Sequence, residues 1–344
     1  MPLRITDNAP LDALNTFGVS ARARRLVELD DPADLPAALA ALVGAPARLV
    51  LGGGSNLLLA GDFDGTVLRM RTRGRQRQPA AIGEEVSLQA GESWDEAVRW
   101  TLDQGLAGLE NLAMIPGSCG AAAIQNIGAY GVELAERFAG LWAVDLDTGR
   151  QQAFTPEACR FGYRDSVFKQ PGGERWLILR LRLRVGPQFA PVLSYAPLAA
   201  AFAGRSATPS AAEVATEVRR IRASRLPDPA RIGNAGSFFK NPVVNAALAQ
   251  ALHERHPGMP MHPGGSSLSD APVKLSAGWL IEQCGWKGHR DGDAGVHADH
   301  ALVLVNHGRA SGAELLRLAM AIRASVHERF GLWLEPEPRI VGGS

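Results

Sequence analysis

A chain of 344 residues with 46% apolar side chains is long enough for two or three domains, each able to bury a core. Its 36 basic and 35 acidic side chains leave a formal charge of +1, so no global field draws it to nucleic acid or an anionic membrane. Three scattered cysteines, Cys119, Cys159 and Cys284, odd in number and without metal spacing, argue for a reducing compartment and against a disulfide framework. No run approaches the ~20 apolar residues of a membrane span, and the first residues carry no secretory apolar stretch. The expectation is a cytoplasmic protein with a small-molecule partner.

In chain order, Asp31-Pro32 caps a helix whose buried stripe is Leu35, Leu39 and Leu42, and Gly44 stops it. The strand Arg48–Leu51 runs into Gly52-Gly53-Gly54-Ser55-Asn56, a candidate phosphate cradle. A dinucleotide-binding Gly-x-Gly-x-x-Gly turn opens a helix, but here Leu57 takes the third glycine position and strand follows, so a Rossmann reading is disfavoured. Arg69, Arg71, Arg73, Arg75 and Arg77 alternate, as do Arg180, Arg182 and Arg184, which predicts strands with a solvated basic face. Interleaved aromatics, which a nucleic-acid surface wants, are absent there.

Ser93-x-x-Glu96 predicts a capped helix carrying Trp94, Val98 and Leu102. From Gly108 to Gly131 glycine and proline are too dense for an ordinary element. That stretch reads as a long loop whose backbone meets a flat ligand, with Pro116 and Gly117 setting the turn and Gln125, Asn126 and the amides near Gly128 and Ala129 as polar contacts. A plain glycine-rich connector is the alternative. Tyr163, Arg164 and Asp165 follow a turn, where Arg164 offers a forked donor for a carboxylate or a surface ion pair. The loop around Tyr195 leads to a helix capped by Ser210-x-x-Glu213 and ended by Leu226-Pro227.

Gly233 to Pro242 concentrates a hydroxyl (Ser237), an ammonium (Lys240) and two amides (Asn234, Asn241) on a permissive backbone, with Phe238 and Phe239 as anchors. Taken alone it also reads as a turn entering a strand. All eight histidines lie from His253 onward, and neither His253/His256 nor His297/His300 has further ligands at zinc spacing. A helix around Ala277–Glu282, a buried strand at Ala301–Val305 and a helix capped by Ser311-x-x-Glu314 lead to the tail, where Pro336 and Pro338 aim Glu335 and Glu337.

Asn15-Thr-Phe17, the Gly52 loop, Ile115 to Gly131, Tyr163-Arg-Asp-Ser166, Leu226-Pro-Asp-Pro229, Gly233 to Pro242, Val296-His297 and Leu334-Glu-Pro-Glu337 together resemble the UDP-N-acetylenolpyruvoylglucosamine reductase (MurB) family. The Tyr195 loop resembles its longer, type I subclass. The resemblance implies an α+β protein: a vanillyl-alcohol-oxidase/p-cresol-methylhydroxylase-type FAD-binding fold plus a C-terminal α+β substrate-binding domain. The implied division is 1–70 and 71–218 for FAD, 219–332 for substrate, and a tail 333–344 returning near the first part.

The implied activity is NADPH-dependent reduction of UDP-N-acetylglucosamine enolpyruvate to UDP-N-acetylmuramate through non-covalent FAD. Ser237 matches the proton donor, and Arg164 and Glu337 match the pair that stabilises charge on the substrate carboxylate. Besides the residues already noted in the glycine loops, Ser118 and Gly120 fall at FAD positions, and Tyr130, Tyr163, Tyr195, Arg225, Asn241, Lys287 and Arg339 at substrate positions. Arg225 replaces a common lysine, His300 an expected glutamine, and Ala121-Ala-Ala123 a usual Ser-Ser-Pro. A monomer without metal, nucleic-acid or membrane partners is expected. The alternatives are another flavin oxidase of the same fold, which often tethers FAD through histidine, and a non-catalytic UDP-sugar-binding protein.

Overall fold

The computed structural model describes residues 3–187, 190–263 and 272–343. The chain forms two compact units, the first from residues 1–9, 23–54 and 64–224, the second from 10–22, 55–63 and 225–344.

The first unit holds a four-stranded sheet in the order Arg4–Pro10, Arg22–Leu29, Phe63–Met70, Arg48–Leu51, the last two parallel. A five-stranded antiparallel sheet follows, ordered Gln151–Phe154, Phe138–Asp145, Trp176–Val185, Glu84–Gln89, Arg75–Pro79. Leu88, Leu141, Leu181 and Leu183 point from this sheet into a core shared with Trp94, Val98 and Ala122 of the helices. Trp94 satisfies its buried indole N–H on the Leu112 carbonyl at 2.9 Å, so a large apolar ring sits inside without an unpaired donor. Ser93 caps Trp94–Asp103 by accepting from the Glu96 amide, as its spacing predicts.

The arginine row does not face solvent as an unpaired basic surface. Arg69 and Arg71 both donate to Oε1 of buried Glu28, at 2.9 and 2.8 Å, and Arg4 donates to Oε2 at 3.0 Å. Arg75 reaches Glu92 at 2.7 Å and Arg77 reaches Glu84 at 3.1 Å. Burial alone would raise the Glu28 pKa, but Arg71 and Arg69 outweigh it and hold the carboxyl below its usual range. The row is also two strands, Phe63–Met70 and Arg75–Pro79, with a break between them.

Two other expectations change. Within the predicted loop from Gly108 to Gly131, Cys119–Ile124 is a helix capped by Ser118, whose Oγ accepts from the Ala121 amide. Alanine is the strongest helix former, and Gly120 is required there because a Cβ would lie 2.8 Å from that of Ala90. A short helix, Ala196–Ala201, follows Tyr195 and precedes the capped Ala211–Arg225. Burial pushes the Cys159 thiol up to about 12, and the Cys119 thiol further up, so neither is a ready nucleophile.

The second unit contains an antiparallel sheet ordered Gly233–Ser237, Val303–Asn306, Ala294–Val296, Arg290–Asp291. A smaller one joins Val243–Val244, Val273–Leu275 and Met261–Pro263, and Arg339–Val341 pairs in parallel with Leu57–Leu59. The predicted capping box of Ser311 and Glu314 is formed and starts Gly312–Phe330, which left-handed Gly331 ends. A side chain at Gly312 would place its Cβ 1.7 Å from the Leu59 carbonyl oxygen, so only glycine lets that helix meet the strand.

Candidate active site

Strand Arg48–Leu51 delivers the chain into the glycine turn, and Gly54 has a left-handed φ of +65°. A Cβ on Gly52 would sit 2.3 Å from Ser118 Oγ, and one on Gly53 would sit 3.1 Å from Gly117 Cα. Gly53 therefore lets the turn approach the Gly117 main chain, and Gly52 leaves room for the Ser118 side chain. Turns of this kind offer backbone amides and small hydroxyls, the set that suits a flat, pyrophosphate-bearing dinucleotide such as FAD. Ser55 and Asn56, the end of the same turn, fall in the second unit. Asn56 donates from Nδ2 to the Glu337 carbonyl at 3.3 Å and accepts from the Arg339 amide at 3.1 Å.

Beyond helix Cys119–Ile124, Gln125 caps the C-terminus and Asn126 is buried. Asn126 spends its amide on Glu133 Oε2 at 2.8 Å and the Gly162 carbonyl at 3.0 Å, and its oxygen accepts from Ala135. It braces the loop, and the short hairpin of Gly128–Ala129 with Val132–Glu133 follows. Arg164 Nη2 donates to the Gly128 carbonyl at 2.7 Å, which brings the predicted carboxylate clamp beside a predicted FAD position. Its guanidinium also lies over the Tyr163 ring, 5.4 Å from the centroid.

Arg164 and Tyr130 both hold left-handed backbone, at φ 54° and 52°. Such strain in non-glycine residues costs ~1–3 kcal/mol and persists only where surroundings impose it. For Arg164 the imposing element is a tight turn in which Gly162 and Asp165 exchange backbone hydrogen bonds at 3.0 and 3.2 Å. Tyr130 and Tyr195 meet edge to face with centroids 5.1 Å apart, and Asn111 ties the Tyr130 and Val192 carbonyls at 2.8 Å each.

In the second unit Ser237 ends its strand opposite Val303, after a register shift from Asn234. Left-handed Gly236, held by the Asn234 side chain at 2.9 Å, makes the irregularity and re-aims Ser237. Phe238 and Phe239 are fully buried and pack edge to face at 5.1 Å, the anchoring expected of them. The Glu337 amide donates to the Phe238 carbonyl at 2.8 Å, the Lys240 amide to Glu335 at 2.9 Å, and Phe239 bridges Pro336. Residues a hundred positions apart in the chain are thus laid side by side, with Lys240 Nζ ion-paired to Glu335.

Arg225, Lys287 and His297 all act on His300, whose pKa is lowered first by burial and then by these positive neighbours. Lys287 pairs with Glu282 at 3.0 Å, and Asn241 Oδ1 accepts from the Ala277 amide at 2.9 Å to help start helix Ala277–Gln283. Arg339 is exposed on the strand beside Leu57. Arg164 belongs to the first unit, Ser237 and Glu337 to the second.

Sequence reasoning missed Asn111, Asp95 and Arg222. Asp95, in the first turn of its helix, accepts from the Met114 amide at 2.5 Å and from Arg219 at 2.7 Å. Arg222 lies at the i+4 position from buried Val218 and is hydrogen-bonded to Tyr130. An arginine on an apolar helical stripe was the available signal.

A family model described as UDP-N-acetylenolpyruvoylglucosamine reductase, C-terminal domain, matches residues 228–341, and one described as FAD binding domain matches 23–155. A UDP-N-acetylenolpyruvoylglucosamine reductase from Azoarcus sp. (strain BH72) is 54% identical, covering 99% of each chain. One from Pseudomonas aeruginosa is 49% identical over 99% of this chain and all of its own length. The crystal structure of the reductase (MurB) from Thermus caldophilus superimposes with a TM-score of 0.67 at 26% identity, covering 99% of this chain and 100% of that one.

Proposed function

The chain belongs to the UDP-N-acetylenolpyruvoylglucosamine reductase family, and we propose that Ser237, Arg164 and Glu337 carry its chemistry. It is an FAD-binding oxidoreductase of the vanillyl-alcohol-oxidase type that reduces UDP-N-acetylglucosamine enolpyruvate to UDP-N-acetylmuramate, a peptidoglycan precursor, with NADPH as reductant. The loops 52–56, 116–120 and 125–129 hold FAD without a covalent tether. When bound and reduced, FAD supplies a hydride from N5 to C3 of the enol ether.

Negative charge then gathers on C2 and the carboxylate of the substrate. Arg164, fixed by the Gly128 carbonyl, turns a forked donor toward that oxygen pair, and Glu337 in its acid form donates alongside it. Ser237 gives its hydroxyl proton to C2, because a carbanion-like centre is basic enough to deprotonate an alcohol. Lys240 is engaged with Glu335, so we assign resupply of the serine proton to solvent. Tyr130, Tyr163, Tyr195, Arg225, Asn241, Lys287 and Arg339 read the UDP-sugar and its carboxylate.

The observation that carries this reading is the 2.8 Å bond from the Glu337 amide to the Phe238 carbonyl, which ties the proposed donor's strand to the proposed acid. We place the enzyme in the cytoplasm as a monomer. Among the described residues no helix is long and apolar enough to cross a membrane. Under anaerobic conditions NADPH should bleach the purified protein, and UDP-N-acetylglucosamine enolpyruvate should restore its colour. Acid precipitation should release the chromophore. A colour that stays on the precipitated protein supports a tethered-flavin oxidase, and a colourless preparation that binds UDP-sugar supports a binding protein.

A further inference from the structure

The tail that carries Glu337 is held from outside because its own sequence leaves it few donors. Left-handed Gly331 ends helix Gly312–Phe330, and Leu332 and Leu334 are then buried. Pro336 and Pro338 have no backbone N–H and a fixed φ, and each also restricts the residue before it, Glu335 and Glu337. Residues 335–338 therefore move as one stiff segment. Its direction is set where it begins.

That point is clamped by the helix. Arg323 Nε donates to the Leu334 carbonyl at 2.7 Å, and its Nη1 reaches Met320 Sδ at 3.3 Å. The guanidinium carbon lies 5.4 Å from the centroid of the Trp333 ring. Trp333 in turn stacks on His327, one helical turn beyond Arg323, with centroids 3.9 Å apart and an interplanar angle of 15°. An exposed indole is thus engaged by the helix, and cation–π attraction adds to a charge-assisted hydrogen bond. Further along, the Lys240 amide donates to the Glu335 carbonyl at 2.9 Å, the Glu337 amide to Phe238 at 2.8 Å, and Asn56 to the Glu337 carbonyl at 3.3 Å. Those bonds fix where the Glu337 backbone lies, and the Arg323 clamp fixes the angle at which the segment arrives.

We propose that Arg323 is a positioning residue for the reaction: through the Leu334 carbonyl and the stiff segment 335–338 it sets the aim of the Glu337 carboxyl. The proposal rests on the role given to Glu337 above. Misplacing a catalytic group by ~1 Å can cost up to ~100-fold in rate, so a loosened clamp remote from the reacting atoms is read in the step that uses Glu337. A brace that served stability alone would not single out one half-reaction.

The test follows both half-reactions by stopped flow in wild-type holoenzyme, Arg323→Met, Glu337→Gln and the double variant. Arg323→Met should slow reoxidation of the reduced flavin by UDP-N-acetylglucosamine enolpyruvate about tenfold, while NADPH reduces the flavin at the wild-type rate. The double variant should be no slower than Glu337→Gln alone, because a clamp that acts through the carboxyl then has nothing left to aim. Arg323→Lys keeps the cation and a donor and should recover part of the lost rate.

Wild-type reoxidation in Arg323→Met, equal slowing of both half-reactions, or losses that multiply in the double variant overturn the proposal. Should the methionine variant fail to hold FAD, the same cycle built on Arg323→Lys decides by the same criteria. Wild-type reoxidation in Glu337→Gln removes Glu337 from the mechanism and this proposal with it, so failure of the underlying reading is distinct from failure of the clamp alone.

Discussion

The glycine loops of the first unit and the Ser237 strand with its Glu337 tail in the second position their proposed site residues by opposite means. In the first, Gly52 and Gly53 work through side chains they lack, since a Cβ at Gly52 would strike Ser118 Oγ at 2.3 Å. In the second, two side chains are set by main-chain pairing, through the Glu337 to Phe238 hydrogen bond and the Phe239 to Pro336 bridge. On the function proposed above, the contrast predicts that cofactor binding tolerates little addition of atoms, whereas the chemical step tolerates little removal of them.

The largest effect that sharpens this contrast is expected from Glu337→Gln. Loss of an acidic donor should slow flavin reoxidation by substrate ~100-fold, the scale of one lost transition-state donor, while reduction by NADPH is spared. Stopped-flow measurement of both half-reactions checks it, and equal slowing of the two would return Glu337 to a structural role. Next comes Gly52→Ala, an overpacking change of about 2 kcal/mol that should weaken FAD binding about 30-fold. Combining it with Ser118→Ala, which removes the struck hydroxyl, should recover part of that affinity in a fluorescence titration. No recovery would mean that the loops do not meet as described.

A smaller effect concerns pH. His300 has a lowered pKa in the folded protein, so its unfolded form binds protons more readily. The stability it contributes is complete above the unfolded histidine value of about 6.5 and is lost as pH falls through the folded value. His300→Gln should make the loss of unfolding free energy between neutral and mildly acidic buffer smaller. An unaltered acid limb in denaturant titrations would count against that environment. Smallest is Glu335→Gln. Its carboxylate is 68% exposed, so breaking the ion pair with Lys240 should change stability by ~0–1 kcal/mol and leave both half-reactions alone.

What was legible in the chain was local. The N-cap at Ser93, the capping box at Ser311, and the turn chemistry from Gly233 to Pro242 involve residues a few positions apart whose types dictate geometry. Helix Cys119–Ile124 was hidden because flanking glycine and proline masked three alanines and a serine cap. The Glu28 cluster was hidden for a different reason: its arginines lie about forty positions downstream, and no periodicity announces a buried carboxylate opposite them. Asn56 likewise meets Glu337 across 281 positions, a pairing that only the fold creates.

The account stands most directly on Ser237. In Ser237→Ala, NADPH should bleach the flavin at nearly the wild-type rate, and UDP-N-acetylglucosamine enolpyruvate should reoxidise it at least ~100-fold more slowly, the scale of lost general acid catalysis. Reoxidation at the wild-type rate in that variant, with FAD still bound, would contradict it.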